Sequence, residues 1–166
     1  MNQPLFSYGS LMDADVLRIV IGPEYDAVVT SPAQLAGFRC VQYPTETFPI
    51  LHAETRKLVD GLLIDGLSAL AYQRILFFEG DEYELQSCLV QTHGGEREAL
   101  YCADVTEPGE LYDEWTLARW QREHKAAFCV HVEQYMALFG TMSATEADQH
   151  WLAITAAGDR GIDRAS

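Results

Sequence analysis

Between residues 27 and 64 the chain carries four short β-type patterns in succession, with no helical pattern between them. They fall at residues 27–30, 33–41, 48–52 and 58–64, with Pro32, Pro44, Pro49 and Gly61 as punctuation. A run of strands that does not alternate with helices excludes a doubly wound parallel sheet and predicts an α+β fold. Before the run, residues 5–8 form a short apolar and aromatic strand that breaks at Gly9. Asp13 then reads as an N-cap for a helix whose apolar face is Val16, Leu17, Ile19 and Val20, stopped by Gly22-Pro23.

After the run the spacing changes. Leu70, Ala71, Arg74, Ile75 and Phe78 recur at helical intervals behind Ser68 as N-cap, and Gly80 closes that helix. Residues 83–92 and 98–105 read as strands joined through Gly94-Gly95, a hairpin. Leu117, Trp120, His124, Phe128, His131, Tyr135 and Leu138 predict one long helix over 113–139, ended by Gly140. A shorter helical pattern covers 145–156. The expected division is a domain over residues 1–140 and a helical extension and tail over 141–166.

At 166 residues the chain has one domain's length and buries roughly 70% of its unfolded surface, enough to fold without a metal or disulfide staple. Eleven Lys and Arg stand against 25 Asp and Glu, a net charge of −14. Binding to phosphate backbones or anionic lipid runs on clustered cations, so neither nucleic acid nor membrane is an expected partner. The N-terminus has neither a basic n-region nor a long apolar h-region, and no stretch approaches the roughly 18 apolar residues of a membrane helix. Cys40, Cys88, Cys102 and Cys129 lack a C-x-x-C spacing and read as reduced thiols in a cytoplasmic protein.

Two segments carry candidate chemistry. In Phe6-Ser7-Tyr8-Gly9-Ser10-Leu11 a strand breaks at a glycine towards a helix, and such junctions present backbone N–H groups able to bind a carboxylate or an oxyanion. In Phe77-Phe78-Glu79-Gly80 a carboxylate follows two aromatic residues at a helix end. Desolvation against rings raises a carboxyl from about 4.3 and suits it to proton transfer near neutrality. Read alone, Glu79, Asp81, Glu82 and Glu84 are also consistent with one solvated acidic loop.

Other constellations are weaker. Cys88 and His93 lack a positioning partner for a nucleophile, and Ser7 and Ser10 lack a GxSxG setting. His124 and His131 are seven apart, not the three or four that suit two metal ligands on one helix face, and read as half-buried core residues. Trp115, Trp120, Tyr135 and Phe139 read as helix packing. No phosphate-binding or dinucleotide-binding glycine motif occurs, so no metal or cofactor is expected.

Together, YGSL at residues 8–11, Tyr43-Pro44, Val59-Asp60-Gly61 and FEGDEY at residues 78–83 resemble the γ-glutamyl cyclotransferase-like (AIG2-like) family. The order matches, and about 70 residues separate the YGSL segment from the glutamate; the resemblance covers roughly residues 4–105. It implies a compact mixed β-barrel with flanking helices and the active cavity at one mouth. It also implies that backbone N–H groups of Tyr8, Gly9, Ser10 and Leu11 hold the substrate carboxylate, that Glu79 is the catalytic acid/base, and that Tyr83 lines the site. Leu76 and Leu85 stand where many members carry Asp and Arg. The implied substrate is a small γ-glutamyl amide or amine. A small-molecule binding or regulatory domain that keeps the cavity without the reaction is the alternative, and an interaction module built on the aromatic helix a third.

Overall fold

The computed structural model describes residues 3–43, 46–80, 84–103, 105–106 and 113–162, with the backbone alone for 105–106 and 154–162. Strand β1 (Leu5–Ser7) leads into a 3-10 turn (Ser10–Met12) and helix α1 (Ala14–Ile21). Then follow β2 (Val29–Gln42), β3 (Pro49–Asp65), α2 (Ala69–Glu79), β4 (Leu85–Thr92), β5 (Gly95–Cys102) and the two-residue β6 (Val105–Thr106). Three helices complete the chain: α3 (Leu117–Glu123), α4 (Lys125–Met136) and α5 (Ala144–Ile162).

The strands run in the order β1-β5-β4-β2-β3, and β3 pairs back to β1, closing a five-stranded barrel; β6 adds to β3 outside the ring. Two pairings, β1–β5 and β3–β6, are parallel and the others antiparallel, so the barrel is mixed. Side-chain alternation divides the core in two. Phe6 and Tyr8 point with Leu35, Leu51, Leu63, Val90 and Tyr101 into one cluster. Leu5 and Ile64 join Leu17, Ile21, Ile75, Trp120 and Met136 in a second, between barrel and helices.

Several expectations change. The four separate strand patterns fuse into the two long strands β2 and β3. Pro32 sits inside β2 opposite Leu62, one residue outside the stretch that β4 pairs, so its missing N–H breaks no β4 bond. Gly61 sits inside β3 and marks close approach. A Cβ there would lie 2.4 Å from the Phe6 ring and 2.5 Å from Ser7 O, so β1 can cross β3 only over a glycine. The helix expected over 113–139 is two helices, broken at His124 (φ −129°, ψ −24°). No Pro or Gly marks that break. Tertiary demand makes it: Trp120 is buried in the middle of α3, while α4 turns to run against α1 and α2. The last helix is longer than its pattern, and Ser143 starts it with a capping box: its Oγ accepts from Glu146 N–H, and the Glu146 carboxylate accepts from Ser143 N–H.

Capping residues elsewhere match. Asp13 caps α1 through its Oδ1, which accepts from Asp15 and Val16 N–H, and Ser68 caps α2 through Ala71 N–H. Arg74 of α2 donates from Nε to Val20 O at 2.7 Å, closing the C-terminal end of α1 and locking the two helices together. All four cysteines are free thiols. Among the described residues, no helix is long and apolar enough to cross a membrane.

Candidate active site

The strand-to-helix junction after β1 is held from three sides. Met12 N–H donates to Gly9 O and Asp13 N–H to Ser10 O, both at 3.0 Å. The N–H groups of Ser10 and Leu11 therefore precede the first closing bond of the 3-10 turn. The Tyr8 hydroxyl donates to Cys102 O at 2.6 Å, tying the end of β1 to the end of β5 across the barrel mouth. The Cys40 thiol donates to Tyr8 O at 3.6 Å. Behind the turn, the Asp13 carboxylate is 1% exposed and its Oδ2 accepts from Gln121 Nε2 at 2.7 Å and Lys125 Nζ at 2.9 Å. Burial alone would raise this carboxyl; the bonds from Lys125, Gln121 and Val16 N–H outweigh it and hold Asp13 below its ordinary value.

Glu79 is the last residue of α2. Gly80 takes φ +91°, which lets the chain turn away while Gly80 N–H still closes on Leu76 O. Two residues earlier, Phe77 is buried, its carbonyl accepts from the Tyr135 hydroxyl at 3.2 Å, and its ring lies 5.1 Å from the Tyr135 ring. The backbone that aims Glu79 is thus fixed by α4. Glu79 itself keeps some solvent contact through the cavity, yet protein surrounds it closely enough that burial pushes its carboxyl up to about 7. Among the described residues, no partner offsets that burial.

One cavity of about 260 Å³ joins the two segments. Tyr8, Gly9, Ser10 and Leu11 line it together with Glu79, so five of the six residues singled out in the sequence share one space. Tyr83, the sixth, lies outside the described residues, as does Pro44. The rest of the wall includes Phe48, Pro49, Phe78, Cys102 and Phe128. Phe78 sits in the FEGDEY segment. Phe48, Cys102 and Phe128 come from the tip of the β2–β3 hairpin, the end of β5 and α4, and no local pattern marks them for a site. Burial, with the Glu79 charge adding, pushes the Cys102 thiol up, so it stays protonated. Leu76 is 39% exposed, and neither it nor Leu85 lines the cavity.

The remaining candidates do not assemble. Cys88 packs against the barrel cluster, where burial pushes its thiol up to about 11, while His93 is exposed in the hairpin turn. His124 is half-buried at the break between α3 and α4. His131, expected to be half-buried as well, is exposed, with its ring 5.0 Å from that of Trp151. Trp115 and Trp120 are buried at 6.4 Å from each other, and Trp115 donates to Thr47 O, which is packing. Among the described residues, no group of three His, Cys, Asp or Glu is placed to hold a metal ion.

Comparison with known proteins agrees with this geometry. The family model for gamma-glutamyl cyclotransferase, AIG2-like, matches residues 5–122, which span the barrel, both cavity segments and α3. Similar proteins include the Arabidopsis thaliana protein AIG2 B, 26% identical over 132 residues (77% of this chain and 76% of that protein). Another is the AIG2-like protein A of the same plant, 25% identical over 127 residues and 75% of each chain. Two solution structures of Arabidopsis thaliana proteins share the fold. One has a TM-score of 0.58 at 22% identity over 84% of each chain; the other has 0.57 at 20% identity over 83% of this chain and 93% of that one. The barrel, the junction after β1 and the extent of the match together place this chain in the γ-glutamyl cyclotransferase, AIG2-like family.

Proposed function

We propose that this protein cyclises γ-glutamyl amides, releasing 5-oxoproline and a free amine, with Glu79 as the acid/base. The observation that carries the proposal is one carboxyl, raised to about 7 by burial, sharing a cavity with the strand-to-helix junction at residues 8–11.

The substrate brings its own nucleophile. Its α-amine and γ-carbonyl carbon are the ends of a five-atom chain, so attack closes a five-membered lactam and needs no nucleophile from the protein. The new C–N bond forms at that carbonyl carbon as its amide C–N bond breaks. In becoming the lactam N–H the α-ammonium, with a reference value of about 8, loses two protons, one to solvent before attack and one as the ring closes, while the departing nitrogen must gain one. A single carboxylate between the two nitrogens takes the ring-closing proton and delivers it to the departing nitrogen, a contribution of about 10²–10⁴-fold in rate. A carboxyl near 7 is better matched to both transfers than one near 4.5. Backbone N–H groups at the junction hold the α-carboxylate, so that the amine faces its own carbonyl and orientation supplies much of the remaining acceleration. Cys102 stays a neutral thiol and takes no part as a nucleophile.

The test is 5-oxoproline release from γ-glutamyl amides by the wild-type chain and by Glu79→Gln. Release that disappears in a folded Glu79→Gln variant supports both reaction and residue. Saturable binding without any product from the wild type would instead favour a binding or regulatory domain that has kept the cavity, read as stabilisation that grows with ligand concentration.

A further inference from the structure

We infer that Asp148 of α5 is a positioning residue for Glu79, acting through the Tyr135 hydroxyl on the last turn of α2. This rests on the cyclotransferase reading for the part Glu79 plays in the reaction. Support of the active site then extends to a helix outside residues 5–122, the stretch that the family model matches.

The last turn of a helix ends in carbonyls that have no partner within the helix. At the end of α2, Leu76 O accepts from Gly80 N–H at 3.0 Å, and Phe77 O accepts from the Tyr135 hydroxyl at 3.2 Å. The same hydroxyl lies 2.7 Å from Asp148 Oδ1. A phenol has one proton to give, so the two oxygens share it, and the three groups form one line from α5 through α4 to α2. Asp148 also lies beside the residue that follows Glu79. A Cβ built on Gly80 would stand 3.4 Å from Asp148 Oδ2. One carboxylate thus meets the helix end on both sides of Glu79, beside Gly80 after it and through Tyr135 before it.

Packing holds that line in place. Ser143 caps α5, and Ala144 and Ala147 are buried in the cluster between barrel and helices. One turn beyond Asp148, the Trp151 ring stands edge-on to Tyr135 at 6.1 Å. Asp148 itself is exposed, so its removal opens no cavity, and what it contributes is direction rather than buried area. A tilt of the last turn of α2 moves the Glu79 carboxyl relative to a substrate held at residues 8–11. A misplacement of about 1 Å costs up to about 10²-fold in rate. The junction that binds the substrate is untouched, so the loss falls on kcat and not on KM.

The experiment measures kcat and KM for 5-oxoproline release by the full chain carrying Tyr135→Phe, Asp148→Ala, Asp148→Asn, or Tyr135→Phe together with Asp148→Ala. The Glu79 carboxyl carbon is followed by NMR titration in the same variants. Tyr135→Phe and Asp148→Ala are each expected to lower kcat by about tenfold, with KM within about twofold of wild type. Asp148→Asn keeps an oxygen for the hydroxyl and is expected to recover most of the loss. The double variant is expected to fall little further than Tyr135→Phe, because Asp148 acts through that hydroxyl. A loosened helix end admits water to Glu79, so its midpoint, about 7 in wild type, is expected to move down towards 4.5 in Tyr135→Phe and in Asp148→Ala. Unchanged kcat in the folded single variants, a change in KM alone, no recovery in Asp148→Asn, or losses that multiply in the double variant overturns the role of Asp148 and leaves the cyclotransferase reading standing. A wild type that releases no 5-oxoproline from any γ-glutamyl amide overturns that reading instead. The Glu79 midpoint then decides alone: a downward shift supports Asp148 as the positioning residue, and an unmoved midpoint overturns it.

Discussion

Two carboxylates flank the junction after β1, and the protein treats them in opposite ways. Asp13 is sealed behind the 3-10 turn with four donors on it: Asp15 and Val16 N–H, Gln121 and Lys125. Glu79 faces the cavity in front of the turn, with burial unopposed among the described residues. Both are shielded from water, Asp13 almost wholly and Glu79 in part, yet one is held below its ordinary value and the other is pushed up to about 7. Burial is thus not what separates a carboxyl held ionised from one raised towards neutrality. The number of donors delivered to the charged form is, because each favours ionisation and leaves the group less able to exchange a proton near neutrality.

Substitution at the two positions should therefore break different things. Glu79→Gln has the largest expected effect: turnover falls by about 10²–10⁴-fold, while the melting temperature holds or rises, since an unpartnered ionisable group leaves the interior. Assays of 5-oxoproline beside thermal melts check both halves, and a variant with near-normal turnover would remove Glu79 from the mechanism. Asp13→Ala should do the reverse in kind. It strips the cap from α1 and leaves Gln121 without its acceptor, a cost of about 2–4 kcal/mol. Its melting point should fall by several degrees, and Asp13→Asn, which keeps a capping oxygen, should recover part of the loss. An Asp13→Ala protein as stable as wild type would contradict the structural role.

The pH responses sharpen the contrast, because the two signs differ. With Glu79 near 7 when folded and near 4.5 when unfolded, the folded chain holds the extra proton across that window. Stability from this group is therefore full below about 4.5 and declines as pH rises towards 7. Wild type should lose melting temperature relative to Glu79→Gln between pH 5 and 7, and kcat/KM should climb over an acid limb near 7 as the base form appears. A flat difference between the two melting curves would show that Glu79 is not perturbed.

This contrast is only half written in the sequence. Asp13 and Ser68 as caps, Gly22 and Gly80 as helix ends and a hairpin near Gly94-Gly95, which turns one residue earlier through 93 and 94, are set by local backbone chemistry, and local chemistry is what a sequence displays. Pro32 and Gly61 mislead because their meaning is tertiary: one sits beyond a neighbour's pairing and the other beneath a crossing strand. The break at His124 has no local mark at all. In the site, the junction and Glu79 are legible as paired motifs in register. The Phe48, Cys102 and Phe128 walls are not, because barrel closure and the docking of α4 bring them in from distant parts of the chain. Gln121 and Lys125 carry no local mark, and only the fold delivers them to Asp13 across more than 100 residues.

The smallest expected effect isolates the cause of the difference. Lys125 touches both Asp13 and Asp15, at 2.9 and 2.8 Å, and its side chain is 30% exposed, so its removal need not disturb the core. Lys125→Met takes one charged donor from Asp13 while the Val16 N–H and Gln121 bonds remain. Burial then meets less opposition, and the Asp13 carboxyl should move upwards, in the direction of Glu79. In wild type, the stability Asp13 supplies is present above its ordinary value near 3.8 and is lost as pH falls through its lowered folded value. In Lys125→Met the loss still begins near 3.8 but is smaller and is complete at higher pH, seen as a shallower acid fall of the melting curve between about pH 5 and 2. Carboxyl carbon shifts of Asp13, followed by NMR titration, would report the same movement directly. If Asp13 stayed low without Lys125, helix-end N–H groups and Gln121 would suffice to hold a buried carboxylate ionised. The lack of a cation beside Glu79 among the described residues would then no longer explain why that group is raised.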